Sequence, residues 1–354
     1  MNMTTVASAP GKLVLLGEYA VVEGAPSLVA AVDRLARVSI NPAEAASKLT
    51  LAHADVYGWP LDNTGIHTDA MAACLNPMSV IQVKAAVNTV NTLQDAYSSN
   101  RTACSKMDVI IDARHFFTSG NEKLGLGSSA AITVALTAAL YRYMSNQPPK
   151  RHILLQNALM AHRSQQEPPG SGIDVAASTY GGFLEYGIRG ATKTRLPSVR
   201  PVNLPPGLNI SAVWTGHSAS TDRFLKQVNR FKHRKPSAYI KMIDRMSDTS
   251  QSGVDAFRQG DIGSFLEMVD RFYRQLIQLS HCIDLPIVSA NHARLADIAY
   301  GMGGIYKPSG AGGGDMGLIF TESKFRMSRI QEAMTVAGFK VFHLKWGIGG
   351  ASYQ

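Results

Sequence analysis

Apolar residues recur along the chain in short stretches punctuated by glycine, and their spacing separates strands from helices. KLVLLGEYAVV at 12–22 and MDVIIDA at 107–113 read as strands, whereas 128–144 and 151–165 read as helices. Beyond the glycines at 181 and 182, GFLEY (182–186) and LNISAVWT (208–215) are short strands, followed by helical stretches at 237–278 and 288–300. A strand GLIFT (317–321), a helix at 324–337 and a strand KVFHLKW (340–346) complete the pattern. It predicts an α+β fold, a layer of strands backed by helices. One helix stands apart: residues 132–141 are all Ile, Thr, Val, Ala, Leu or Tyr, and GLGSSAA (125–131) lies at its mouth.

A length of 354 residues accommodates two domains or one large one, and 45% hydrophobic residues with a mean hydropathy of −0.03 is the composition of a soluble globular protein. The prolines at 197, 201, 205 and 206 mark the expected boundary region, which we place between 1–190 and 191–354. The charge of +9 makes a field that attracts anions, either nucleic acid or small phosphorylated metabolites. The densest basic stretch, RFKHRK at 230–235, is a short local cluster that reads as a solvated face or loop, and no nucleic-acid partner is expected. Cys74, Cys104 and Cys282 are far apart and odd in number, which offers neither a disulfide framework nor a CxxC metal site. No leader pattern and no membrane-length apolar run is present, so a cytoplasmic protein without a membrane partner is expected.

Four backbone N–H groups at a helix start lack intrahelical partners, and with the helix dipole they form an anion site. Gly125 and Gly127 would let that backbone approach a phosphate, with the hydroxyls of Ser128 and Ser129 beside it; the plainer alternative is a helix capped by Ser128. Gly125, Gly127 and Ala130 also satisfy a dinucleotide fingerprint, but no carboxylate follows between 128 and 166 to hold a ribose. KPSGAGGGDMG (307–317) carries five glycines in its last eight residues, more than a structural turn uses. Lys12 in its apolar strand reads as a solvated edge residue or a functional cation. Asp174 follows a Gly-Ser-Gly turn and reads by default as a helix N-cap, and His162 as a hydrogen-bonded core residue.

In this order, PGKLVLLGEYAVVEG (10–24), GLGSSAA (125–131) and SGAGGGDMG (309–317) resemble the three motifs of the GHMP small-molecule kinase superfamily. The resemblance covers nearly the full length. It implies an N-terminal ATP-binding domain like ribosomal protein S5 domain 2 and a ferredoxin-like C-terminal domain, with ATP and acceptor between them. The uncharged helix is then buried behind a phosphate-binding loop. GEYAVVEG with Tyr19, AHRSQQEPPGSGIDVAAS (161–178), GAGGGD with Asp315, and WTGHSAST (214–221) are similar to the phosphomevalonate kinase branch. One departure is Glu167, Pro168 and Pro169, where the fungal pattern has a short Gly-Lys.

That branch implies transfer of the ATP γ-phosphoryl to the phosphate of 5-phosphomevalonate in the mevalonate route, with mevalonate kinase or another GHMP small-molecule kinase as the alternative. Carried over residue by residue, Lys12 and Asp174 are the catalytic residues, Lys12 as the cation between donor and acceptor and Asp174 orienting it. Gly125, Leu126, Gly127, Ser128, Ser129 and Ala130 wrap the ATP phosphates, with Ser129 on Mg²⁺. Lys12, Tyr19, Ser171, Gly172, Ser220, Thr221, Gly310, Ala311 and Gly312 face the acceptor. A monomer or homodimer is compatible with this reading.

Overall fold

The computed structural model describes residues 4–44, 46–52, 56–60, parts of 83–93, 106–163, 170–188 and 197–353. Glu167, Cys74 and Cys104 lie outside the described residues. Two sheets organise the chain. The first runs β12-β1-β2-β5-β3-β4, where β1 is Thr5–Leu16, β2 Ser27–Pro42, β3 Lys48–Leu51, β4 Val56–Pro60, β5 Met107–Asp112 and β12 Ser352–Tyr353. The long β2 also pairs with β6 (Phe183–Gly187), which pairs with β7 (Ser198–Val202).

Against β1 and β2 lies α1, Ser128–Ser145, flanked by α2 (Arg151–Arg163) and α3 (Ile173–Tyr180). Every residue of α1 from Ala130 to Leu140 is buried, which is why the sequence there carries no charge and shows no amphipathic stripe.

The second sheet has the order β11-β8-β10-β9, with β8 Asn209–Trp214, β9 Ile305–Pro308, β10 Met316–Thr321 and β11 Lys340–Phe342. Counted along the chain these are strands four, one, three and two, all antiparallel, the ferredoxin-like arrangement. Between β8 and β9 come α4 (Thr221–Arg234), α5 (Pro236–Gln259), α6 (Ile262–Ile283) and α7 (Ala290–Gly301), and α8 (Lys324–Val336) precedes β11. A core containing residues of both sheets joins the halves. No helix among the described residues is long and apolar enough to cross a membrane.

The strands β2, β3, β4, β7, β9 and β12 have no counterpart in the sequence pattern, and the elements differ from it in three further places. The strand read at 12–22 stops at Leu16, because Gly17 turns at φ 100° and Ala20–Glu23 forms a 3-10 turn whose Ala20 and Val21 are buried as they would be in a strand. The stretch from 221 holds a helix absent from the expectation: Phe224, Val228 and Phe231 bury one face of α4, so RFKHRK is a helix end rather than a loop. The strand expected at 340–346 ends at Phe342, and Trp346 instead bridges Val32 of the first sheet. Sheet membership therefore changes between β7 and β8, and residues 346–353 return to the first sheet.

Candidate active site

The phosphate-type loop is built as its glycines require. Gly125 and Gly127 both adopt φ 78°, a region costly for any residue with a Cβ, and Gly127 is the N-cap of α1. Ser128 is thus the first helical residue and not the cap expected as the plainer alternative. Gly127 accepts the N–H of Ala131, and the N–H groups of Ser128, Ser129 and Ala130 precede any intrahelical acceptor, so they point out of the helix mouth. Leu126 is fully buried, and its carbonyl accepts from the Lys12 N–H at 2.9 Å, which fixes the loop to β1.

Lys12 is not a solvated edge residue. It pairs with Ala31 of β2 on one side and with the Leu126 loop on the other, and its side chain runs beneath Gly127, where a Cβ would lie 3.0 Å from its Cε. Burial pulls the ammonium below its usual pKa, and Asp174 is the carboxylate that most strongly opposes this, followed by Asp315 and Glu18. Asp174 is the second residue of α3, whose cap is Gly172, so it is a first-turn carboxylate rather than an N-cap. Its Oδ1 accepts from the Val175 N–H at 2.9 Å, and its Oδ2 lies 3.9 Å from Nε2 of the buried His162. Ser171 holds this turn from below, since its carbonyl accepts the Tyr186 hydroxyl.

The third glycine motif closes on the second. A Cβ on Gly125 would lie 2.3 Å from the Asp315 Cβ, so the aspartate side chain occupies the space beside the glycine. Asp315 is held at φ 60° by its N–H to the His217 carbonyl and its own carbonyl to the Thr215 N–H, and its Oδ1 accepts from Ala219. Burial raises its pKa, opposed first by Lys123, a lysine that also acts on Lys12. Behind the loop, the buried His292 joins the Tyr306 hydroxyl at 2.7 Å to the Gly314 carbonyl at 2.9 Å.

The remaining candidates divide. Tyr19 is buried and its hydroxyl donates to the Ala311 carbonyl, which joins Tyr19, Gly310, Ala311 and Gly312 in one wall but leaves the phenol oxygen only as an acceptor. Ser220 caps α4 and Thr221 opens it; both are exposed, and they reach the site through Ala219. Ser129 is half-buried, and its hydroxyl has no protein partner among the described residues. Glu18, Lys307, Lys123 and His292 were not among the sequence candidates. Glu18 and Lys307 form a buried ion pair, and in the sequence each stands only as a flank of a glycine motif.

Among the described residues no cluster of three His, Cys, Asp or Glu side chains is arranged to hold a metal. A helix mouth with free N–H groups, a half-buried lysine beneath it and a carboxylate alongside define a phosphate-handling site, the class of an ATP-dependent small-molecule kinase. Residues 84–182 match the family model described as GHMP kinases N terminal domain. A phosphomevalonate kinase from Streptomyces sp. (strain CL190) is 30% identical over 95% of this chain and 95% of its own length. A mevalonate kinase from Thermococcus onnurineus is 26% identical over 95% of this chain and 94% of its own. The structure of Streptococcus pneumoniae phosphomevalonate kinase in complex with phosphomevalonate and AMPPNP superposes with a TM-score of 0.79 at 19% identity, covering 96% of this chain and 99% of that one. This chain belongs to the GHMP kinase family and is a kinase.

Proposed function

We propose that this kinase transfers the γ-phosphoryl group of Mg-ATP to the phosphate of 5-phosphomevalonate, giving the 5-diphosphate. The observation that carries the reading is the convergence of Lys12 and Lys123 on one electrostatic neighbourhood beside Asp315 and the Gly125–Gly127 loop. Two phosphorylated substrates bring more negative charge than one, and a pair of lysines beside a helix mouth answers it. The full-length similarity to the Streptomyces phosphomevalonate kinase supports the same acceptor.

Phosphoryl transfer asks the protein for positioning and charge neutralisation. A phosphate monoester has a second pKa of about 6, so at neutral pH the attacking oxygen is already largely ionised and a strong general base is not required. Asp174 accordingly orients Lys12 and the acceptor, and Lys12 neutralises charge between the two phosphates. Mg²⁺ takes few protein ligands and several phosphate or water oxygens, and the partner-free Ser129 hydroxyl fits that need. When bound there, the ion supplies neutralisation of the ATP phosphate charge. The N–H groups of Ser128, Ser129 and Ala130 cradle the same phosphates. In this division, residues 1–190 bind ATP, and the C-terminal part, 191–354, supplies the wall around Ala311.

The test is ADP release from Mg-ATP with purified protein, offered mevalonate and 5-phosphomevalonate separately. Turnover only with 5-phosphomevalonate is the expected result. Turnover with mevalonate alone would favour the mevalonate kinase reading, which the Thermococcus relative keeps in view, and would make Asp174 a true base.

A further inference from the structure

Among the described residues, His162 is the one buried imidazole that faces the Asp174 carboxylate. It sits in the last turn of α2, 3% exposed, and its Nε2 has no hydrogen-bond partner among the described residues. A buried ring nitrogen without a partner forfeits free energy unless another state of the protein satisfies it. The carboxylate oxygen it faces is Asp174 Oδ2, at 3.9 Å, beyond hydrogen-bond reach by less than half an ångström on the usual limit of about 3.5 Å. Oδ1 of the same carboxylate is already bonded to the Val175 N–H, so Oδ2 is the oxygen left for other partners.

Of the other groups around Asp174, Arg163 brings its guanidinium to within 3.8 Å of where a Cβ on Gly172 would lie, but among the described residues it makes no ion pair with the carboxylate. Tyr186 spends its hydroxyl on the Ser171 carbonyl, and Lys12 approaches from β1 beneath Gly127. We propose that His162 is a positioning residue for Asp174: in the loaded enzyme its Nε2–H donates to Oδ2, fixing the carboxylate against Lys12. With Oδ1 on Val175 and Oδ2 on His162, the carboxylate cannot rotate, and both oxygens are occupied. An ionised phosphate acceptor needs no oxygen of Asp174 to take its proton; an alcohol acceptor does. The inference rests on the acceptor reading above only for that last consequence.

Two experiments on the full-length protein test it. In the first, ring ¹⁵N spectra of histidine-labelled protein are recorded for the wild type and for Asp174→Asn, with and without Mg-AMPPNP. His162 carrying its proton on Nε2, with a resonance that moves in Asp174→Asn, is expected. An Nε2 that is unprotonated, or unchanged by Asp174→Asn in both states, overturns the proposal. In the second, His162→Gln keeps an N–H donor and His162→Leu keeps only bulk. The expected result is a kcat within about threefold of wild type for Gln and a loss of about tenfold or more for Leu, with KM for ATP unmoved. Equal kcat for the two variants overturns the proposal, as does a loss that follows melting temperature alone. Should wild-type protein turn over neither acceptor, the acceptor reading fails, and the spectra decide on His162 without it; they decide equally if His162→Leu does not fold.

Discussion

Glu18 and Lys307 meet as a buried ion pair although 289 residues separate them in the chain. Lys307 also donates to the Pro308 carbonyl at 2.6 Å, and Glu18 accepts from the Gly310 N–H at 3.3 Å. Together with Tyr19 on the Ala311 carbonyl and Glu23 on Lys232 and Tyr239, the pair turns the polar residues of GEYAVVE toward the C-terminal half of the molecule. The first glycine motif is thus a clasp as well as a wall of the site.

Breaking the clasp on one side strands a buried charge. Glu18→Gln or Lys307→Met alone is expected to destabilise by about 3–5 kcal/mol, and the double variant to recover much of that loss. Urea unfolding of the four proteins measures the coupling, and strictly additive losses would show that the two charges do not interact.

Lys12→Met removes the cation beneath the loop while keeping its apolar stem. Steady-state ADP release is expected to fall about a hundredfold, the effect of about 3 kcal/mol of lost electrostatic stabilisation, with an unchanged melting temperature. Retention of wild-type kcat would remove Lys12 from the chemistry.

Gly125→Ala places a methyl where the Asp315 side chain already lies and holds it at φ 78°. Nucleotide affinity by calorimetry is expected to drop at least tenfold. Asp315→Gly in the same chain restores part of it, because it removes the collision but not the backbone strain of about 1–2 kcal/mol. No recovery in the double variant would place the damage elsewhere.

Burial drives the pKa of His292 down from 6.5 to about 3. The unfolded chain therefore takes up a proton that the folded chain refuses. The contribution is fully present above about pH 6.5 and is lost as pH falls from there toward 3, at up to about 1.4 kcal/mol per pH unit. Denaturation midpoints from pH 7 to 4 should fall less steeply in His292→Gln than in wild type, and parallel curves would refute this.

The buried helix was legible because its apolar run fits no other environment, and its observed start at Ser128 is the one expected. Gly125 and Gly127 were legible through local spacing, and Lys12 and Asp174 only through the resemblance to the GHMP kinase motifs; the four gather around one helix mouth. The end of β1 was not, since Ala20 and Val21 are as buried in a 3-10 turn as in a strand and periodicity cannot separate the two. The setting of Lys12 was hidden because the loop around Leu126, more than a hundred residues on, covers that side of β1, and no local pattern announces it. Glu18 with Lys307 was hidden for the same reason: no local pattern encodes a pairing across two sheets.

The return of residues 346–353 to the first sheet sets a schedule for synthesis. Tyr353 pairs with Ala7, Trp346 bridges Val32, and Gly349 bridges Gly181. While a ribosome makes the whole second sheet, β1 waits with an unpaired edge, and such edges recruit other strands. Docking of the last strand is a contact of very long sequence separation, which makes it slow. The nascent protein therefore reaches its finished N-terminal sheet only after the C-terminal half has been translated, and chaperone binding to the growing chain should persist until then.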